Sequence, residues 1–192
     1  EGQRVVADGV AGEPYERIGS GSIVFSRDGA QVAYSVRHAD GEHVVADGRR
    51  GPRFDAVIES SLSFRPGQSE VSYAAQRGEE AVLVVDGREA GTFADVHPAG
   101  PTFSPDGRTL AYAVRRGAQW TVVTNGAEGP ACDDLGAGPV HSPTGGRVAY
   151  GARRGAQWFV VVDGQPGAGY DELAHAPPHF SADGRRVACG VR

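Results

Sequence analysis

The side chains best equipped for chemistry in this 192-residue chain recur at near-constant intervals. Aspartates stand in two series, Asp28, Asp106 and Asp183, and Asp8, Asp47, Asp86 and Asp163. Repeated carboxylates are the hard oxygen donors that calcium takes. Every one of these aspartates is followed by glycine, however, and an aspartate in such a turn bonds its own backbone. They are therefore read as structural. His97, His141, His175 and His179 come closest to a metal cluster. Zinc asks for three or four nitrogen or sulfur ligands in a closed shell, and the spacing of these four defines none, so they are read as surface or loop histidines. No metal and no cofactor is expected. There is no nucleophile elbow, no Ser-His-Asp pattern in context and no phosphate loop, and the expectation is that the chain is not an enzyme.

One local sequence stands apart. RRGAQW occurs at 115–120 and again at 153–158, each time ahead of a valine-rich run. Arginine and tryptophan are the residues favoured at binding hot spots, so Arg115, Arg116, Trp120, Arg153, Arg154 and Trp158 form a candidate binding patch on adjacent copies of a repeat. The competing reading is that both tryptophans pack between sheets and that the identity records a duplication. Where these six residues point depends on the elements that carry them.

Those elements repeat. The dipeptide after each valine-rich run recurs as Asp8-Gly9, Asp47-Gly48, Asp86-Gly87, Asn125-Gly126 and Asp163-Gly164, at spacings of 39, 39, 39 and 38. An FSPDG-like marker keeps step at Phe25, Phe64, Phe103, His141 and Phe180, and an Ala-Tyr-like one at Tyr34, Tyr73, Tyr112, Tyr150 and Cys189. A period near 40 is the length of one four-stranded propeller blade. Within the third copy, Pro101 to Ser104, Thr109 to Val114, Trp120 to Thr124 and Ala131 to Leu135 read as four short strands. No helical stripe interrupts them. The glycines supply the positive φ that tight hairpins need, and runs apolar on both faces, such as Phe159 to Val162, suit sheets sandwiched between neighbours.

PTFSPDGRTLAY, at 101–112, resembles the WD-like β-propeller repeats of the TolB type, and the resemblance extends over essentially the whole chain. It implies an all-β fold: a five-bladed propeller of four-stranded antiparallel blades, a single domain over 1–192. The blades fall at about 20–59, 60–97, 98–135, 136–175, and 176–192 joined with 1–19, the last closed by strands from both termini as propellers are. The family also implies a periplasmic or extracellular setting, although no signal peptide is visible in this chain. Its motifs build blades and occur in proteins of many functions, so they specify scaffold and not activity. Departures fall at Arg65-Pro66-Gly67-Gln68, Thr144-Gly145 and His141.

Composition narrows the partners. A net charge of −5 argues against nucleic acid, which requires a concentrated basic face, and no apolar run approaches the ~20 residues that span a bilayer. All 19 basic residues are arginine, with no lysine or methionine, which points to GC-rich bacterial coding. Cys132 and Cys189 occupy positions that are aromatic in other copies and are read as buried thiols with no disulfide between them. Five-bladed glycosidases set two carboxylates ~5 to 9.5 Å apart; of the segments entering the first strands, at 20–24, 59–63, 98–102, 136–140 and 175–179, only one holds an acid, Glu59. That reading ranks third. First stands a non-catalytic interaction module for a protein or peptide partner, part of a larger bacterial protein; second, a lectin-like propeller binding carbohydrate at repeated sites.

Overall fold

The computed structural model describes residues 2–173 and 177–192. The described chain is almost entirely strand and turn, with one short 3-10 turn at Glu59–Ser61, and none of its helices is long and apolar enough to cross a membrane. Its contacts gather into two units, Glu1–Thr92 and Phe93–Arg192.

The first unit opens with a hairpin of Val6–Ala7 and Val10–Ala11. Its first full sheet is built on Val32–His38 and Gly41–Ala46, with Arg49–Arg50 outside. The opening strand of that sheet is broken into Arg17–Ile18 and Val24–Phe25, both paired with Val32–His38. A second sheet repeats the plan with Val71–Arg77 and Glu80–Val85 at its centre, Ala56–Val57 and Ser63–Phe64 on one side and Arg88–Phe93 on the other. In the second unit the third sheet runs from Asp95–Val96 and Thr102–Phe103 through Leu110–Arg116 and Gln119–Thr124 to Ala127–Glu128. The fourth runs from Asp134–Leu135 and Val140–His141 through Val148–Arg154 and Gln157–Val162 to Gln165–Tyr170. A hairpin of His179–Phe180 and Val187–Ala188 ends the unit. Four full antiparallel sheets and two terminal half-sheets are consistent with five blades.

The turns explain why this sequence makes hairpins. Asp8, Asp47, Asp86, Asn125 and Asp163 all have φ between 47 and 51°, and the glycine after each lies between 71 and 83°. Two successive positive φ values define the type I′ turn, whose twist matches that of the strands it joins. Side chains lock several in place: Val32 N–H donates to Asp47 Oδ1, Leu110 N–H to Asn125 Oδ1 and Val148 N–H to Asp163 Oδ1. In the other aspartate series, Asp28, Asp106 and Asp183 each accept from a serine hydroxyl two residues back, at 2.5–2.6 Å, and from the amide two residues on. These bonds hold each of the three carboxyls below its ordinary value, the serine contact acting most strongly.

The blade boundaries differ from the sequence reading: Arg17–Ile18, Ala56–Val57, Asp95–Val96 and Asp134–Leu135 each pair with the sheet that follows. Residues 131–135 do not close the third sheet as a unit: Cys132 bridges Trp120, whereas Asp134 and Leu135 pair with Arg153 and Ala152 of the fourth. The segment thus passes from one sheet to the next within two residues, which alternation of residue type cannot reveal.

Candidate functional site

The hexapeptide copies occupy equivalent places on the third and fourth sheets. Arg115 lies directly across from Trp120, and Arg153 across from Trp158, so each pair shares one sheet face. Their guanidinium carbons stand 6.0 and 5.8 Å from the respective indole centroids, within cation–π range. Both tryptophans are half-buried. Trp120 packs on the core cluster containing Val122, Cys132 and Tyr150 and receives the edge of His97 at 6.1 Å. Packing and exposure, alternatives in the sequence, coexist at Trp120, whose half-buried indole has core contacts as well as an arginine against its ring.

The remaining arginines are held differently. Arg116 pairs with Glu128 at 3.2 Å and stands 5.1 Å from the Phe93 ring centroid. Arg153 also pairs with Asp134 at 3.3 Å, and Arg154 donates to the Ala131 carbonyl at 2.8 Å. Arg115 is exposed and makes no ion pair among the described residues. Arg153 and Arg154 rim an apolar cleft of about 100 Å³ floored by Pro130, Cys132, Phe159 and Pro166. Cys132 exchanges both backbone hydrogen bonds with Trp120, so the cleft wall is continuous with the tryptophan strand.

The other sheets lack this arrangement. In the first, the slot opposite Arg37 holds Glu42, whose side chain is 5 % exposed and meets Arg37 at 2.8 Å and Arg17 at 3.2 Å. Its second oxygen accepts Val57 N–H at 2.8 Å. Burial pushes the Glu42 carboxyl up, but the Val57 amide and the two guanidiniums outweigh it and hold it below its ordinary value. In the second sheet the slot holds Ala81, opposite Gln76. Glu59, the acid singled out in the sequence, is ion-paired with Arg17 at 2.9 Å.

The histidines are engaged one by one. Ala99 N–H donates to His97 Nδ1, and burial lowers the basicity of that ring, against the opposing pull of Gly136 and Asp95. Thr102 Oγ1 donates to the Ala111 carbonyl, so the contact of 3.1 Å with His141 Nε2 is best made by an N–H on that nitrogen. His141 Nδ1 is then a buried acceptor without a partner, and burial likewise lowers this ring's basicity. His179 is exposed; His175 lies outside the described residues. Among the described residues no group of three or more His, Cys, Asp or Glu could hold a metal ion. Both cysteines are free, and burial raises the Cys132 thiol to about 11.

This sheet plan is that of a β-propeller. Among solved structures the chain is similar to TolB from Acinetobacter baumannii, with a TM-score of 0.53 and 16 % identity over 89 % of this chain and 48 % of that one. It also matches dihydro-heme d1 dehydrogenase NirN, with a TM-score of 0.48 and 16 % identity over 88 % of this chain and 42 % of that one. The chain therefore spans about half the length of the TolB chain, and at this identity the likeness shows the fold alone. No protein-family model and no curated protein matches the chain.

The sequence reading missed three features: the buried Glu42, the cleft beside Cys132, and a pair of grooves at equivalent places in the two units. Only the second left a local trace, a cysteine where other copies carry an aromatic residue.

Proposed function

We propose that the chain is a non-catalytic interaction module whose third and fourth sheets engage a protein or peptide partner. The contact surface comprises Arg115, Arg116, Trp120, Arg153, Arg154 and Trp158, together with the apolar cleft below Arg153 and Arg154. The carrying observation is that the arginine-on-tryptophan pair is built twice in the second unit, while the first and second sheets form with glutamate or alanine in the same slot. Blade construction thus does not require the tryptophans. Half-exposed aromatic surface flanked by guanidiniums and a small apolar cleft is the usual makeup of a hot spot. Nothing in the arrangement supplies a base, a nucleophile and an oxyanion donor in mutual reach, which favours binding over catalysis.

The test replaces Arg115, Arg116, Arg153 and Arg154 by serine and compares partner capture by the native and substituted proteins. Stability should change by only about 0.5 kcal/mol per site, because exposed ion pairs contribute little, whereas affinity should fall by ~2 kcal/mol or more. An unchanged set of captured partners removes this surface from consideration.

A further inference from the structure

A second kind of site lies away from the patch and occurs twice. A groove of about 600 Å³ runs between the first and second sheets, and one of about 610 Å³ between the third and fourth. Each lies wholly within one unit. Their walls correspond residue by residue in the repeat: Val44, Gly51, Pro52, Val71 and Tyr73 in the one, Val122, Gly129, Pro130, Val148 and Tyr150 in the other. Volumes of this order hold small organic ligands. The short outer strands Arg49–Arg50 and Ala127–Glu128 line the two grooves.

A tyrosine hydroxyl sits at the base of each. Tyr150 is 2 % exposed, and its hydroxyl is buried with no hydrogen-bond partner, an arrangement that normally costs the folded state about 1–3 kcal/mol. Native proteins keep few such groups. The residue above it is glycine: a Cβ on Gly129 would stand 2.6 Å from the Tyr150 hydroxyl, and one on Gly51 would stand 3.7 Å from that of Tyr73. A side chain on Gly129 would crowd the Tyr150 hydroxyl. Lining each groove are a glutamine amide (Gln31, Gln165), a turn aspartate (Asp47, Asp163) and a short hydroxyl (Ser69, Thr124), each supplied by opposite walls in the two grooves. Valine and proline form an apolar strip beside them.

We infer that the two grooves are equivalent binding sites for a neutral polyhydroxylated ligand, a sugar ring, with the Tyr73 and Tyr150 hydroxyls as base contacts. Amides, carboxylates and hydroxyls that can donate or accept match a ring of alcohols, and the apolar strip matches its C–H face. The rims differ in charge, with Arg49, Arg50 and Glu70 on the first groove and Glu128 on the second, while the elements common to both carry none beyond the aspartate. A neutral ligand satisfies both. The inference is independent of the patch on the third and fourth sheets, since, Pro130 apart, it draws on different residues and on both units.

The test is calorimetric and saturation-transfer NMR titration of the full chain with methyl glycosides of glucose, galactose, mannose and N-acetylglucosamine, and with a neutral tetrapeptide as comparator. One glycoside should saturate at two equivalents per chain. Tyr150→Phe and Tyr73→Phe should each remove one equivalent without lowering the thermal midpoint, Tyr150→Phe because it deletes a hydroxyl that has no partner in the free protein. Gln165→Ala and Gln31→Ala, on the exposed rims, should each weaken one equivalent at least fivefold and keep the inference testable if a tyrosine variant folds poorly. The four-serine variant should retain both equivalents, which separates failure here from failure of the patch. Absence of saturable glycoside binding, a stoichiometry other than two, insensitivity to these substitutions, or displacement of the sugar by the tetrapeptide would each overturn the inference.

Discussion

Replacing Cys132 by phenylalanine should stabilise the chain and close its apolar cleft. In the first unit the corresponding position is Phe54, 1 % exposed, which meets Tyr73 edge-on at 5.9 Å and 84° and lies 5.1 Å below the Arg77 guanidinium. Cys132 belongs to the cluster that contains Tyr150, but a thiol is far smaller than a phenyl ring, and the deficit emerges as the cleft of about 100 Å³. At ~24 cal/mol per Å³ of cavity, full occupancy would contribute about 2 kcal/mol. The cleft is open on one side and its walls have set around sulfur, so overpacking removes part of that gain, leaving about 1 kcal/mol. For a chain of this size this corresponds to a rise in Tm of roughly 2–4 °C.

Urea unfolding followed by tryptophan fluorescence reads the change as a higher midpoint at constant slope. The reciprocal variant, Phe54→Cys, opens the same hole in the first unit and should cost about 3 kcal/mol. Two results would refute the reasoning: Cys132→Phe losing more than about 1 kcal/mol, or Phe54→Cys losing less than that. The same substitution also bears on function, because a ring beneath Arg153 and Arg154 fills the apolar part of the proposed contact surface. Partner affinity should therefore fall in a protein that has become more stable, an outcome that general unfolding cannot mimic.

Further expectations concern pH, ions and the tryptophans. His141 has its ring basicity lowered from the ordinary 6.5 by burial, so the unfolded chain takes up the proton first; the associated stability is full above about pH 6.5 and is lost as pH falls towards the folded value. His141→Phe, which restores the residue type of Phe25, Phe64, Phe103 and Phe180, should raise stability by about 1 kcal/mol and remove part of that acid slope in a midpoint-against-pH series. The Glu42 carboxyl is held below its ordinary 4.5; its stabilisation is present above that pH and lost as pH falls through the folded value, and Glu42→Gln should cost about 2 kcal/mol at pH 7 while flattening the profile below 4.5. Chelation by EDTA should leave the thermal midpoint unchanged, and a shift of many degrees reversed by calcium would overturn the structural reading of the turn aspartates. Trp120→Ala should cost ~3 kcal/mol of stability in addition to weakening partner binding, because its indole is both packed and exposed.

What the sequence made legible was whatever is local. Five Asp-Gly or Asn-Gly pairs became five turns with both residues at positive φ, because that chemistry lies within two adjacent residues. The valine runs became central strands for the same reason, their pattern being complete within six residues. Features that depend on residues far apart stayed hidden. Glu42 is buried because Arg17, from a strand 25 residues earlier, reaches its carboxylate, and nothing around Glu42 announces this. The crossing at 131–135 was misassigned because both sheets want the same alternating pattern. The cleft could have been suspected, since Cys132 breaks an aromatic series, but whether neighbours collapse into a small residue's space is decided by packing.

The repeats also show where function resides in such a scaffold. Strand register, I′ turns and the broken first strand recur through the four sheets, so these features carry the fold and leave little freedom. The slot across from the end of the second strand, opposite an arginine in three sheets and Gln76 in the other, is free: Glu42 fills it with a buried ion network, Ala81 with nearly nothing, Trp120 and Trp158 with half-exposed indoles. A position that accepts carboxylate, methyl and indole within one backbone geometry is not chosen by the backbone. Its occupant must answer to something else, which in the first sheet is the pair of arginines around Glu42. In the third and fourth sheets the arginine stays over an indole that is only partly covered, so the remaining constraint lies outside the sheet. The grooves obey the opposite logic. There the same valine, glycine, proline and tyrosine return in both units while the rim charges change, as a shared ligand-holding base with divergent edges requires.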